Sequence, residues 1–521
     1  MVFRSACTLA LCAAVTISST AAVETPTITS LKLGFHVKRS SMAIHGRTDF
    51  DVFINPIVSD ANATTVSFNG AATFVQDGVT YKYVLVDGVP YVTAETAAGV
   101  STTTCGSATS FPPVHEVFSA ISSAVPVSTV DSAQAIECVN GSLLKAALAG
   151  EDYVLCTSTS DDGAFKAFGE DLDVEFQYLK EPAVIAKPAQ APTNCESVTE
   201  NSVAWNFVVW SPLGNSAENV PSLAPTSGSE RESRRCDVRL QEQAETLHLF
   251  HGMDVKADGG VVDDYSFFGD IKKHAPCCSS FKFAIMNTVD NAWTDDVLQQ
   301  RTCDIALSMS PASNNATKTV EDTIVIAHSM GNLQLAGAIA TGKCTLGKTT
   351  EWVDLSGPLK GSMGSDLIRD VCDGGNIGRD ILKKLGGLIG QCPGTTTRKS
   401  LVYDGGAYCS ATESAQYAAA RKAHSEHVTA SVCGRTYSGL LSKEYAGLLF
   451  GGIFIPHKSS ENDGVVEFQS CIGDLPASQF QEDYASKFYR AKLNHADTTF
   501  HNGEGLFDKA KKPLKWFECL F

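Results

Sequence analysis

The sequence predicts two unlike folds in one chain. The C-terminal half reads as an α/β fold, a mostly parallel sheet with helices on both faces, preceded by a β-rich, mainly antiparallel α+β domain. Three observations predict this. The chain has 521 residues, enough for roughly two to four domains of ordinary size. Short β-branched and aromatic runs between turn dipeptides fill the first part. From Cys236 onward, apolar runs of strand length alternate with helical stretches.

The first element is a leader. Met1–Arg4 carries one basic side chain, Ser5–Ile17 is apolar and small, and Ser19-Thr20-Ala21-Ala22 places small residues at −3 and −1. Residues 1–22 therefore read as a secretory signal peptide, cut after Ala21 or Ala22. This apolar run is too short to span a bilayer and no later stretch is long enough, so no transmembrane segment is expected. Of the 17 cysteines, Cys7 and Cys12 fall in the leader. The others, an odd number, would enter an oxidising compartment, where most should form disulfides and at least one is left free or pairs between chains. Sequons at Asn62, Asn140 and Asn315 fit a secreted, extracellular glycoprotein.

Charge narrows the partners. Lys and Arg total 41 against 58 Asp and Glu, a formal net charge of −17. Clustered basic residues carry nucleic-acid binding, so no nucleic-acid partner is expected, and electrostatic docking on anionic lipid is disfavoured.

Residues 23–185 form the β-rich N-terminal domain. Strands are expected over Phe50–Ile54, Thr80–Val86 and Val174–Tyr178. Turns are expected at Asn69-Gly70, Asp77-Gly78 and Asp87-Gly88, with a hairpin across Asp77-Gly78 joining Ala71–Val75 to Val79–Val86. Helices are expected over Val114–Ala124 and Leu143–Ala149. Residues 186–235 are a Pro/Ser-rich linker region. Within it Val203–Trp210 reads as one strand, and Arg234-Arg235 as a processing site or a solvated basic pair.

Residues 236–521 carry the second fold. Strands are expected at Thr246–Phe250, Phe281–Met286, Thr323–Ala327 and Trp352–Ser356, a helix at Asn332–Thr341, and a further element from Gly464. Chemistry concentrates at Thr323–Asn332, where a β-branched strand runs into Ala327-His328-Ser329-Met330-Gly331 and straight out into a helix. This is the small-x-Ser-x-small pattern of a nucleophile elbow, whose tight turn needs small residues two before and two after the serine. A serine hydroxyl is a weak nucleophile and needs a base held by a carboxylate. Downstream, Asp463 precedes a strand-like run and His495 stands in Asn494-His495-Ala496-Asp497. Ser329, Asp463, His495 is a workable nucleophile, acid, base order, with His501, His457 and Asp474 as rivals. Upstream, a strand ends in His251-Gly252-Met253. The backbone N–H groups of Met253 and Met330 are the candidate oxyanion donors. No residues suggest a metal site, and no cofactor is expected.

These pieces carry a resemblance. "LFHGMD" (Leu249–Asp254), "VIAHSMGN" (Val325–Asn332), "DLSGPLKGS" (Asp354–Ser362), "NDGVV" (Asn462–Val466) and "LNHAD" (Leu493–Asp497) come in the order found in α/β-hydrolases of the secreted lipase type. The resemblance covers roughly half the chain. It implies hydrolysis of carboxylic esters, as a lipase or esterase, through an acyl-serine on Ser329. Asp463 and His495 would complete the triad, and a lipid or other ester would be the substrate, presented from a lipid interface or from solution. An acyltransferase or thioesterase with the same triad, or a non-catalytic binding protein, are the alternatives. Ala327 stands where the commonest elbow has Gly, a small-for-small departure. In the N-terminal half, "YKYVLVDGVPYV" (Tyr81–Val92) is similar to the curved half-barrel sheets of lipoprotein-carrier domains, which implies a surface for acyl chains. An unrelated β-sandwich is the alternative there.

One stretch, 361–456, is long for a connection. It holds Cys372, Cys392, Cys409, Cys433 and an apolar run, Ala446–Ile455. It reads either as a Cys-rich, lid-like insertion over the site or as a stapled insertion with no gating role.

Overall fold

The computed structural model describes residues 30–58, 65–106, 117, 120–121, 123–127, 138, 141–148, 151–157, 164–197, 202–204, 246–275, 278–373, 392–440, 442 and 444–521. The expected signal peptide, Asn62, Asn140, the strand beyond Ala204 and Arg234-Arg235 lie outside the described residues.

The N-terminal half is one large antiparallel sheet. Its strands are β1 (Ser30–Val37), β2 (Asp49–Val58), β3 (Thr65–Gln76), β4 (Val79–Val86), β5 (Val89–Thr96), β6 (Ser101–Cys105), β7 (Val125–Pro126), β8 (Ser142–Leu148), β9 (Glu151–Thr157), β10 (Phe165–Gly169), β11 (Leu172–Leu179) and β12 (Ser202–Ala204). Eleven of them follow the path β6-β5-β4-β3-β2-β1-β11-β10-β9-β8-β7, and β12 pairs with β3 off that path. The expected strands fall within β2, β4 and β11. The Asp77-Gly78 hairpin closes with Gln76 opposite Val79, and Asp87-Gly88 turns β4 into β5 with Val86 opposite Val89. Alternation sets the core: Leu31, Leu33, Phe35 and Val37 of β1 are all buried on one face.

Two local expectations change. Leu143–Ala149, expected as a helix from its Leu, Lys and Ala content, lies mostly in β8, paired with β9 from Ser142↔Thr157 to Leu148↔Glu151. Pairing overrides propensity here: Ala146 and Leu148 alternate into the core, and the Cys138–Cys156 disulfide staples the start of the hairpin. Asn69-Gly70 is not a turn but lies inside β3. There the Asn69 side chain accepts the Asp87 N–H at 2.9 Å, tying β3 to the next turn. Of Val114–Ala124, Val117, Ala120 and Ile121 are helical and buried, while Ser123 and Ala124 are not helical.

The C-terminal half is built on β13 (Thr246–Phe250), β14 (Gly260–Val262), β15 (Ser280–Ile285), β17 (Thr323–His328), β19 (Thr350–Leu355), β20 (Val428–Gly434) and β21 (Phe488–Ala491), with β16 (Thr319–Val320) and β18 (Thr345–Leu346) as a separate pair. The sheet order is β14-β15-β13-β17-β19-β20-β21. It is mixed, because β14 runs antiparallel to β15 while the other pairings are parallel.

The α/β-hydrolase fold class, with its helices on both faces of a mostly parallel sheet, is therefore corrected. The described chain is strand-rich overall, with a large antiparallel N-terminal sheet, a mixed C-terminal sheet and only eight α-helices. The reason lies in the connections. Between β13 and β15 the described chain forms an edge strand and two 3-10 turns, Ser266–Phe268 and Ile271–His274. Between β20 and β21 it forms the helix Tyr445–Phe454, the single turn Phe468–Cys471 and the 3-10 turn Ala477–Gln479. Gly, Pro and Ser punctuate these stretches and end each helical run early. β20 also lies inside the 361–456 stretch, so that stretch is not wholly an insertion: it includes an interior strand of the sheet.

The two halves are joined through the chain's last residues. Phe507 sits in the N-terminal core, edge-on to Phe35. Arg39 reaches Glu504 at 3.0 Å and Glu518 at 2.9 Å, and Lys512 and Lys515 meet Asp171 at 3.1 and 2.8 Å.

Candidate active site

β17 is an interior strand flanked by β13 and β19, and all six of its residues are buried. It delivers Ser329 to the end of the sheet. Ser329 has φ 55° and ψ −130°, a backbone state that costs a non-glycine residue about 1–3 kcal/mol. The surroundings hold it there: its N–H donates to the Leu355 carbonyl at 2.9 Å. Asn332 donates from Nδ2 to the carbonyls of Ala327 (2.8 Å) and Ser329 (3.3 Å) and accepts the Trp352 Nε1–H at 3.1 Å. The small residue two beyond the serine is a steric requirement. A Cβ on Gly331 would stand 2.8 Å from the His251 carbonyl oxygen and 3.1 Å from that of Phe250. The helix Met330–Ala340 starts immediately, and the Cys303–Cys344 disulfide ties the residues beyond it to the helix Asp296–Met309.

Three sequence-predicted residues meet here. Ser329 Oγ–H donates to His495 Nε2 at 2.9 Å, and His495 Nδ1–H donates to Asp463 Oδ2 at 2.7 Å. The other Asp463 oxygen accepts the N–H groups of Val465 (3.0 Å) and Val466 (2.7 Å). All three residues are buried, with Ser329 only 4% exposed. His495 is fixed through its backbone: its N–H donates to the Asp463 carbonyl at 3.0 Å, and its own carbonyl accepts from Thr498 Oγ1 (2.9 Å) and His328 Nε2 (3.2 Å). The Cys433–Cys471 disulfide joins the end of β20 to the turn after the Asp463 loop.

The rivals are engaged elsewhere. His501 bonds Thr499 Oγ1 at 2.5 Å, His457 bonds Glu467 at 2.9 Å, and Asp474 pairs with Arg421 at 3.0 Å.

On the opposite side, Gly252 presses against the serine: a Cβ there would lie 2.7 Å from Ser329 Cβ. Among the described residues, the N–H groups of Met253 and Met330 have no intramolecular acceptor. Met330 is the first residue of its helix, where the N–H lacks an i−4 partner and the helix dipole favours negative charge. The loop beyond Met253 is tethered: Asp254 N–H donates to the Thr288 carbonyl at 3.0 Å, and Arg398 grips the Asp254 carboxylate at 3.0 and 2.7 Å.

Two histidines beside the triad were not given roles by the sequence. Burial pushes His328 well below the ordinary histidine range, and the neighbouring His495 adds to this. His328 is therefore a neutral donor to the His495 carbonyl. Burial also lowers His251, partly offset by its hydrogen bond to Gly252. Neither role shows in spacing, because each depends on the close approach of separate loops. Among the described residues no group of three or more His, Cys, Asp or Glu side chains is placed to hold a metal ion.

Such a chain of hydrogen bonds can move a proton from the serine hydroxyl to the imidazole while the carboxylate stabilises the resulting cation. Five disulfides are present among the described residues, which fits an extracellular or secreted protein. No described helix is long and apolar enough to cross a membrane. No family model matches the chain, and no curated protein matches it.

Proposed function

We propose that this protein is a secreted carboxylic ester hydrolase of the lipase or esterase type, working through an acyl-serine. The observation that carries the reading is the continuous relay from Ser329 Oγ through His495 to Asp463, at 2.9 and 2.7 Å, with the serine on a strained turn at a helix start. His495 accepts the Ser329 proton as Oγ attacks the ester carbonyl. Asp463 keeps the proton of Nδ1 in place and stabilises the imidazolium. The Met253 and Met330 N–H groups receive the oxyanion. His495 then protonates the leaving alcohol, and water, deprotonated by the same histidine, releases the acid and restores the serine.

Treatment of the full chain with a fluorophosphonate, followed by peptide mapping, tests this directly. The label is expected on Ser329. Hydrolysis of a short p-nitrophenyl ester should fall by about 10⁴-fold or more in Ser329→Ala. An unlabelled Ser329, or undiminished hydrolysis in that variant, overturns the reading.

A further inference from the structure

The His251 ring lies between two backbone groups whose roles are fixed by chemistry. The Met286 N–H, which can only donate, points at Nε2 from 3.1 Å. The Gly252 carbonyl oxygen, which can only accept, lies 2.7 Å from Nδ1. Nε2 therefore carries the lone pair and Nδ1 the proton, so the ring is neutral and its tautomer is determined. The carbonyl that His251 holds belongs to the peptide joining Gly252 to Met253. In a trans peptide the C=O and the following N–H point in opposite directions. Pinning the Gly252 oxygen to the His251 ring thus turns the Met253 N–H away from that ring, in a loop whose Gly252 abuts Ser329. Were this peptide free to rotate, its carbonyl could face the developing oxyanion and repel it.

We infer that His251 is a positioning residue: its Nδ1–H sets the peptide plane that presents the Met253 N–H to the oxyanion. This rests on the serine-hydrolase reading above. His251 touches no reacting atom and acts only through the peptide it holds. The chain is Met286 N–H to Nε2, Nδ1–H to Gly252 C=O, then the opposed Met253 N–H. The donor is therefore preorganised before substrate arrives, the condition under which such a donor contributes most to the transition state.

Two substitutions separate the halves of the ring. His251→Asn places an amide N–H where Nδ1 lies and keeps the donor to Gly252. His251→Gln places its carbonyl oxygen where Nε2 lies and keeps the acceptor for Met286. Each leaves one buried group unpaired, so a merely structural role predicts similar losses in both. The positioning role predicts that His251→Asn keeps kcat within about 3-fold of the unmodified protein. In His251→Gln, kcat should fall about 30- to 100-fold at little-changed KM. Affinity for a trifluoromethyl ketone, which mimics the tetrahedral oxyanion, should weaken in parallel with kcat. Equal losses in both variants, or no loss in either, overturn the inference. If His251→Gln does not fold, nitrogen-15 NMR of the histidine-labelled full chain decides: a neutral Nδ1–H tautomer at His251 at neutral pH is expected, and an Nε2–H tautomer overturns it. Failure of the unmodified protein to label with fluorophosphonate removes the serine-hydrolase reading and this inference together. Normal labelling with indistinguishable variants removes this inference alone.

Discussion

His328 donates its Nε2–H to the main-chain carbonyl of His495 at 3.2 Å, so the residue before the serine steadies the residue placed to deprotonate it. Their rings lie 4.9 Å apart. A second cation beside a forming imidazolium would oppose proton transfer, and burial keeps His328 neutral. His328→Phe should keep the volume and lose the donor. We expect kcat to fall about 10-fold with KM little changed, since a small misplacement of a catalytic group is costly. Steady-state kinetics on a short ester check this, and an unchanged kcat would show that Thr498 alone holds the His495 carbonyl.

The Cys433–Cys471 bridge encloses the Asp463 loop, with a sequence separation of 38. On the chain-entropy account, a loop of that size is worth about 4 kcal/mol. The double variant Cys433→Ser/Cys471→Ser should lower the denaturant midpoint accordingly. It should also lose activity at denaturant concentrations where the unmodified protein is still active.

Asp171 should make the junction between the halves acid-sensitive. Burial alone would raise its carboxyl, but Lys512 and Lys515 outweigh that and hold it below the ordinary carboxylate range. Its stabilising contribution is complete above the ordinary carboxylate value and is lost as pH falls through the lower folded value. Asp171→Asn should therefore lower the melting temperature at pH 7, and the gap from the unmodified protein should narrow towards pH 3. Melting curves at both pH values decide it, and a gap independent of pH would count against the assignment.

Asp497 should behave in the opposite sense. Burial pushes its carboxyl up to about 7, against the pull of the Leu440 and Asn494 N–H groups, the Asn502 side chain and Lys511. A folded-state value above the unfolded one means stability fully present below the ordinary carboxylate value and lost as pH rises through about 7. Asp497→Asn, which cannot titrate, should gain in melting temperature relative to the unmodified protein between pH 5 and 8. A relative stability that stays flat or falls over that range would contradict the shift.

What the sequence made legible was local. The Thr323–Asn332 run showed a buried strand, a serine and a helix because each signal is contiguous, and chain order together with local context and spacing put Asp463 and His495 ahead of their rivals. Twofold alternation likewise exposed the strands of the N-terminal half. Where the outcome depended on distant pairing, the reading failed. Leu143–Ala149 has helical composition, yet its place beside β9 makes most of it a strand. Val428–Gly434 sat unnoticed within a Cys-rich stretch, because only its parallel neighbours β19 and β21 reveal it as an interior strand. The helix-flanked architecture was overestimated for the same reason: alternating apolar runs report strands and say little about whether the intervening chain coils into helices or loops. The roles of His251 and His328 needed ångström-scale contacts between loops that no spacing encodes.

Phe507 has a bearing on how the molecule is made. It packs into the core of the N-terminal sheet, and Glu504, the partner of Arg39, lies 465 positions further along the chain. A ribosome delivers the twelve-stranded sheet long before the segment that plugs it. Its core then lacks that segment while the second half is translated. A chain broken off before Phe507 would therefore leave apolar surface of the N-terminal core uncovered.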